Sequence, residues 1–124
     1  MTSVAAKDVL GRYGEDLATR HLQHAGFEVL ARNWRPDRLL RGELDIVARA
    51  GRRLVFCEVK TRRSTRFGPP AEAVSAAKQA RIRRLAGAWL GADGRRWDEI
   101  RFDVIAVLCP SGGDVSIEHL RGVF

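Results

Sequence analysis

The stretch Gly42-Glu43-Leu44-Asp45-Ile46-Val47-Ala48-Arg49-Ala50-Gly51-Arg52-Arg53-Leu54-Val55-Phe56-Cys57-Glu58-Val59-Lys60-Thr61 decides the fold. Two strand-like runs, Glu43 to Arg49 and Leu54 to Thr61, flank a Gly51-Arg52 turn and read as an antiparallel hairpin. A two-residue turn there pairs positions whose numbers sum to 103, so Asp45 faces Glu58. Residues two apart share one face of a strand, which places Lys60 beside them. Like charges directly opposite across a sheet are destabilising, and these stand among Leu54, Val55, Phe56 and Val59, so the two carboxylates call for a neutralising cation. Mg²⁺ or Mn²⁺ takes carboxylate, carbonyl and water oxygens, and Asp45, Glu58 and the main-chain carbonyl of Val59 offer such a set. Lys60 is then placed to orient or deprotonate a water, or to stabilise charge on a phosphate, as a hydrolytic phosphodiesterase site requires. The competing reading makes Glu58 and Lys60 solvated residues on an exposed strand face, with Asp45 incidental. A bulge or an odd-length loop would break the pairing.

Outward from the hairpin, Leu10, Gly14, Leu17, Ala18, Leu22 and Ala25 form an apolar stripe at helical spacing, predicting a helix over about Ser3 to Ala25 that Gly26 ends. Phe27 to Arg32 alternates, with Phe27, Val29 and Ala31 expected on one face of a strand before Arg35-Pro36-Asp37 interrupts. After a break at Gly68-Pro69-Pro70, Val74, Ile82, Leu85 and Trp89 share a helical face, stopped by Gly91 to Gly94. Ile100 to Leu108 reads as a strand covered on both sides, and Val115 to Leu120 as a candidate short final strand. The order is α-β-β-β-α-β, with that candidate strand in addition, and it implies an α/β fold with a mixed sheet flanked by helices.

The whole chain sets the frame. At 124 residues and 45% hydrophobic, it fits one compact domain with a real core. Cys57 and Cys109 stand far apart without a C-x-x-C pair, so they read as buried thiols rather than a disulfide framework or zinc site. The absence of a long apolar run or a signal-peptide pattern leads to the expectation of a cytoplasmic protein with no membrane contact. The net charge of +7 favours an anionic partner, although 19 of the 22 basic residues are Arg, a bias that base composition alone can produce. Position is more informative: residues 32–66 hold eleven Lys and Arg against four acids, while the remaining 89 residues hold eleven of each.

Several further side chains are candidates. Glu15 sits at the edge of the first helix's small-residue stripe, where it can reach the sheet's acidic edge as a further ligand; an ordinary boundary Glu facing water is the alternative. Lys78 lies within the apolar face of the second helix, either directed at the site or with its stem packed and its ammonium in water. Arg81, Arg83 and Arg84 form a solvated or phosphate-tracking face. His21 and His24 stand at i, i+3 without an acidic neighbour and read as surface residues. Trp34 is read as a core lid more readily than as a platform for a base. No P-loop, G-x-G-x-x-G, G-x-S-x-G or paired-His motif is present.

Together, Gly14-Glu15-Asp16-Leu17-Ala18, Arg32-Asn33-Trp34-Arg35, Gly42 to Ala48, Val55-Phe56-Cys57-Glu58-Val59-Lys60-Thr61-Arg62 and Arg101-Phe102-Asp103-Val104 resemble the YraN-like proteins of bacteria. Those are similar to restriction-endonuclease-like PD-(D/E)XK nucleases, especially archaeal-type Holliday-junction resolvases. The resemblance covers roughly Gly11 to Phe124. It implies a restriction-endonuclease-like α-β-β-β-α-β core, with Asp45, Glu58 and Lys60 as metal and catalytic signature and Glu15 as an accessory acid. Two departures stand out: Pro36 to Arg41 is about three residues longer than the usual connection, and Cys57 replaces an aliphatic residue.

The expected function is a Mg²⁺- or Mn²⁺-dependent endonuclease in which Arg32, Arg35, Arg62, Arg63, Thr61 and Lys78 contact phosphates. By analogy with resolvases, branched or single-strand-containing DNA is favoured over RNA. Cutting opposed strands of a junction needs two sites, so a homodimer is a further expectation. The rivals are a catalytically inert nucleic-acid-binding module of the same fold and a protein-assembly subunit whose charge serves solubility. Divalent-metal binding and nucleic-acid binding separate the three.

Overall fold

The computed structural model describes residues 2–37, 40–64 and 74–124, and of residues 2–7 the backbone alone. The expected break at Gly68-Pro69-Pro70 lies outside the described residues, as do Arg38 and Leu39 of the lengthened connection. Helix α1 (Thr2–His24) precedes strands β1 (Glu28–Trp34), β2 (Leu44–Ala50) and β3 (Arg53–Arg62); helix α2 (Ala76–Asp93) leads to β4 (Glu99–Leu108) and β5 (Ser116–Leu120). The six-element order is therefore corrected to seven, because the run after Val115 pairs antiparallel with β4. The five strands lie in the order β1-β2-β3-β4-β5. Only β3 and β4 run parallel. A parallel pair needs a crossover connection, and α2 lies within it.

The hairpin register is the expected one, from Ile46 opposite Cys57 to Ala50 opposite Arg53, every pair summing to 103. Gly51 takes φ +62°, a left-handed conformation that glycine adopts without steric cost. The alternation expected in β1 fails at one point. A bulge shifts the register between Val29 and Ala31. The extra residue turns the rest of the strand over: Phe27 and Val29 pack on one side of the sheet, while Leu30, Ala31 and Trp34 pack on the other.

Each face carries its own core. Ala18 and Leu22 of α1 cover Ile46, Ala48, Val55, Cys57, Ile105 and Val107. On the opposite face Ile82, Leu85, Ala86 and Trp89 of α2 cover Val47, Leu54, Phe56 and Val104. Fully burying a side chain such as Leu or Phe contributes roughly 1.5–3 kcal/mol, so neither layer is dispensable. Trp34 is a core lid, as expected, and both cysteines are free and buried. The stripe on α1 stops short of Ala25, which is exposed and beyond the helix end. Val74 is buried but precedes α2, whose first turn is capped by the Ser75 side chain accepting from Lys78 N at 3.2 Å. Gly94 rather than Gly91 terminates α2, with φ +76° and its N–H on the Leu90 carbonyl. Among the described residues, no helix is long and apolar enough to cross a membrane.

Candidate carboxylate and lysine site

Asp45 precedes the hairpin pair Ile46–Cys57 by one residue, and the same register carries it to Glu58. Its Oδ2 accepts from the Val59 main-chain N–H at 2.9 Å, which fixes the carboxylate against β3. Glu58 is buried, 7% exposed, on the face that α2 covers. Burial pushes the Asp45 carboxyl up to about 8, and the charge and hydrogen bond of Glu58 push the same way against the Val59 N–H. Asp45 therefore holds its proton more tightly than a carboxyl in water, and a cation at the pair would oppose that.

Part of that cation is present in the chain itself. Lys78 Nζ lies 2.5 Å from Glu58 Oε1. The Ser75 cap starts α2 at the position that puts Lys78 in the first turn, over β3. Burial works against the Lys78 ammonium, but hydrogen bonds to Glu58 and Lys60 raise its pKa. Lys60 is affected in the opposite direction: burial lowers its pKa, the adjacent Lys78 lowers it further, and Glu58 and Asp45 offset this in part. A lysine so placed more readily carries a neutral amine than one in water.

The other expected site residues divide by sheet face. Glu15 belongs to α1, on the face opposite Glu58. Its carboxyl bonds the Asn33 side chain and lies 3.8 Å from Arg32. Burial raises the Glu15 pKa, with Asn33 and Arg32 acting against that rise. Glu15 contributes to the field at Asp45, yet among the described residues no group of three or more His, Cys, Asp or Glu side chains is placed to hold one metal ion. Asn33 reaches φ +50° to hold this position, a conformation Asn tolerates better than most residues. Thr61 packs against Gly14 on the α1 face, where a Cβ at Gly14 would overlap its side chain. Its neighbour Arg62 is half-buried, and Arg63 beyond it is exposed.

The arginines expected to surround the site are largely paired elsewhere. Arg32 binds Asp16 at 2.9 Å and Arg35 binds Glu43 at 2.9 Å. Arg49, Arg52 and Arg53 reach Glu28, Asp98 and Glu99. The local excess seen along the chain is thus reduced in space by acids from distant segments.

A second polar cluster escaped the sequence reading. Asp103 has a fully buried side chain that accepts from Arg101 through both oxygens, at 2.9 and 3.0 Å, and from Gly122 N–H at 2.9 Å. His119 Nε2 lies 2.6 Å from Asp103, and His119 Nδ1 lies 3.1 Å from His21 Nε2. Of the two histidines read as surface residues, His24 is exposed but His21 is half-buried. Its partner is 98 residues away on β5.

The fold and this geometry define a mixed α/β protein whose sheet presents a carboxylate pair and two lysines under the start of a helix. The chain belongs to the family described as uncharacterised protein family UPF0102, whose model matches residues 14–107. It is 56% identical over 119 residues to a UPF0102 protein of Frankia casuarinae, covering 96% of this chain and 98% of the relative. It is 54% identical over 122 residues to one of Frankia alni, covering 98% and 99%. A UPF0102 protein of Beutenbergia cavernae is 55% identical over 119 residues, with 95% and 98% covered.

Proposed function

We propose that this chain is a metal-dependent endonuclease that hydrolyses phosphodiester bonds in nucleic acid, with branched or single-strand-containing DNA the favoured substrate. The observation that carries the reading is the convergence of Asp45, Glu58, Lys60 and Lys78 on one sheet face. The resemblance to restriction-endonuclease-like nucleases and resolvases adds the superfamily, the DNA preference and the two-site homodimer. Asp45, Glu58 and the Val59 carbonyl would hold Mg²⁺ or Mn²⁺, since such ions use one or two carboxylates and retain several waters. When bound, the ion supplies the charge that lowers the pKa of water and offsets charge building on the phosphate. Lys60, biased toward its neutral amine, orients the attacking water and takes its proton. Lys78 holds the Glu58 carboxylate in position.

Cleavage assays on branched, flapped, nicked and single-stranded DNA with Mg²⁺ or Mn²⁺ test the proposal. Product is expected with the wild-type chain and its loss with Asp45→Asn. No Asp45-dependent product from any substrate rejects the enzyme reading. The inert binding module gains support from one observation, that Lys78 already compensates Glu58. Calorimetry with Mn²⁺ separates the two, because the nuclease reading requires binding that Glu58→Ala abolishes.

A further inference from the structure

We propose that the cleft between α2 and the segment entering β2 is a track for a nucleic-acid backbone, leading its phosphates toward the carboxylate pair. Leu40, Arg41, Arg81, Arg84 and Leu85 line this cleft, which encloses about 420 Å³. The proposal rests on the nucleic-acid reading above and adds a place where the strand lies.

The pairing of the arginines carries the argument. Arg32, Arg35, Arg49, Arg52, Arg53, Arg95 and Arg101 each reach a carboxylate. Among the described residues, no carboxylate pairs with Arg41, Arg81 or Arg84, nor with Arg12, Arg20, Arg63, Arg83, Arg96 or Arg121, but it is Arg41, Arg81 and Arg84 that line one cleft together. Three guanidiniums gathered at one small cleft repel one another, and an anion between them reverses that cost. Arg81 lies close over Gly42 at the entry to β2: a Cβ there would meet its Cδ and Nε at 3.3 Å, so the glycine leaves room for the side chain.

Direction follows from the helix. Lys78, Arg81 and Arg84 stand three residues apart, on neighbouring turns and about 4.5 Å apart along the axis. Side chains at this spacing are neighbours on the helix surface, with Cβ atoms about 5–6 Å apart, so the Arg81 and Arg84 guanidiniums can take neighbouring phosphates of one strand. The row ends at Lys78, on Glu58. A single-anion pocket would not need a row of cations aligned with the site. Guanidiniums that present paired N–H donors suit phosphodiester oxygens.

Fluorescence anisotropy with labelled duplex and single-stranded DNA, in EDTA over a salt series, tests the track. Arg81→Ala/Arg84→Ala is expected to bind about tenfold more weakly and to lower the slope of log affinity against log salt by roughly 2 for duplex. Arg52→Ala/Arg96→Ala removes the same charge near the hairpin tip and is expected to change affinity less than about twofold. Equal losses in both double variants overturn the track while leaving the nuclease reading intact. No DNA binding by the wild-type chain at low salt removes the nucleic-acid reading itself. Displacement of DNA by inorganic phosphate at matched phosphate concentration overturns the backbone assignment in favour of a single-anion pocket. Mn²⁺ calorimetry is expected to be unchanged in Arg81→Ala/Arg84→Ala, separating the track from the metal ligands. Should that variant not fold by circular dichroism, the exposed pair Arg41→Ala/Arg84→Ala gives the same comparison.

Discussion

Glu58 and Lys78 form an ion pair with one partner 7% exposed and the other 25%. Removing one member of such a pair leaves a desolvated charge, which costs more than the pair itself contributes. Lys78→Met is therefore expected to destabilise the metal-free protein by about 1–3 kcal/mol, and Lys78→Met/Glu58→Gln by less, as read by denaturant unfolding. Equal losses in the single and double variants would show that Lys78 acts through packing. Asp45 supplies a second test with a definite sign. Its carboxyl is raised from the ordinary value to about 8, so the folded state keeps a proton that the unfolded chain releases near pH 3.8. The stabilisation linked to that proton is complete below the unfolded value and is lost as pH rises through 8. In EDTA the contribution of Asp45 to the wild-type melting temperature should fall as pH rises from 5 to 8 and level off above that, and Asp45→Asn should remove that fall. Parallel pH curves would mean that Asp45 is not the group that titrates over this range. At this scale the pairing of Asp45 with Glu58 was legible because it needed only a turn and a period of two. Lys78 was visible as a lysine on an apolar face, but which carboxylate it met depended on how α2 crosses the sheet.

The elements were legible where a single periodicity governed them. Helix α2 and the β2–β3 hairpin follow their hydrophobic patterns, whereas β1 does not, because a bulge is set by pairing with β2 rather than by the strand's own residues. The faces of the sheet were the less legible part. Glu15 was read as an accessory acid and Thr61 as a phosphate contact, and the fold puts both on the α1 side of the sheet, where Glu15 bonds Asn33 while still acting on the charge of Asp45. Gly14 explains how closely that helix approaches. A Cβ there would overlap Thr61, so the helix can sit on β3 only with glycine at the crossing. Gly14→Ala is expected to cost about 1–3 kcal/mol by overpacking, and Thr61→Ala in the same chain to restore part of it. A Gly14→Ala protein with unchanged melting temperature would place the crossing elsewhere.

Across the whole molecule, charge is distributed differently in space and in sequence. The excess in residues 32–66 suggested a basic surround for the acidic pair, yet Asp16, Glu28, Asp98 and Glu99, all outside that segment, pair with its arginines. Such pairs form only when the chain is folded, and no window of sequence contains both partners. The same reasoning applies to the network that joins the two ends of the chain, from His21 on α1 through His119 on β5 to Asp103 and Arg101 on β4. Burial and the adjacent His119, Arg121 and His24 lower the His21 pKa below its ordinary 6.5. Because protonation is harder in the folded state, the unfolded chain takes the proton first as pH falls. The contribution of neutral His21 is thus fully present above about pH 6.5 and is lost as pH drops through the folded value. Asp103 has a lowered pKa: burial raises it, but the bonds to His119 and Arg101 and the Gly122 N–H outweigh that, so its own contribution disappears only in a more acidic window. The melting-temperature advantage of the wild-type chain over His21→Gln should therefore shrink between pH 7 and pH 5, with amide exchange in the last turns of α1 accelerating over the same range. If both proteins traced the same curve down to pH 5, the contact between His21 and His119 would contribute nothing to holding α1 on the sheet.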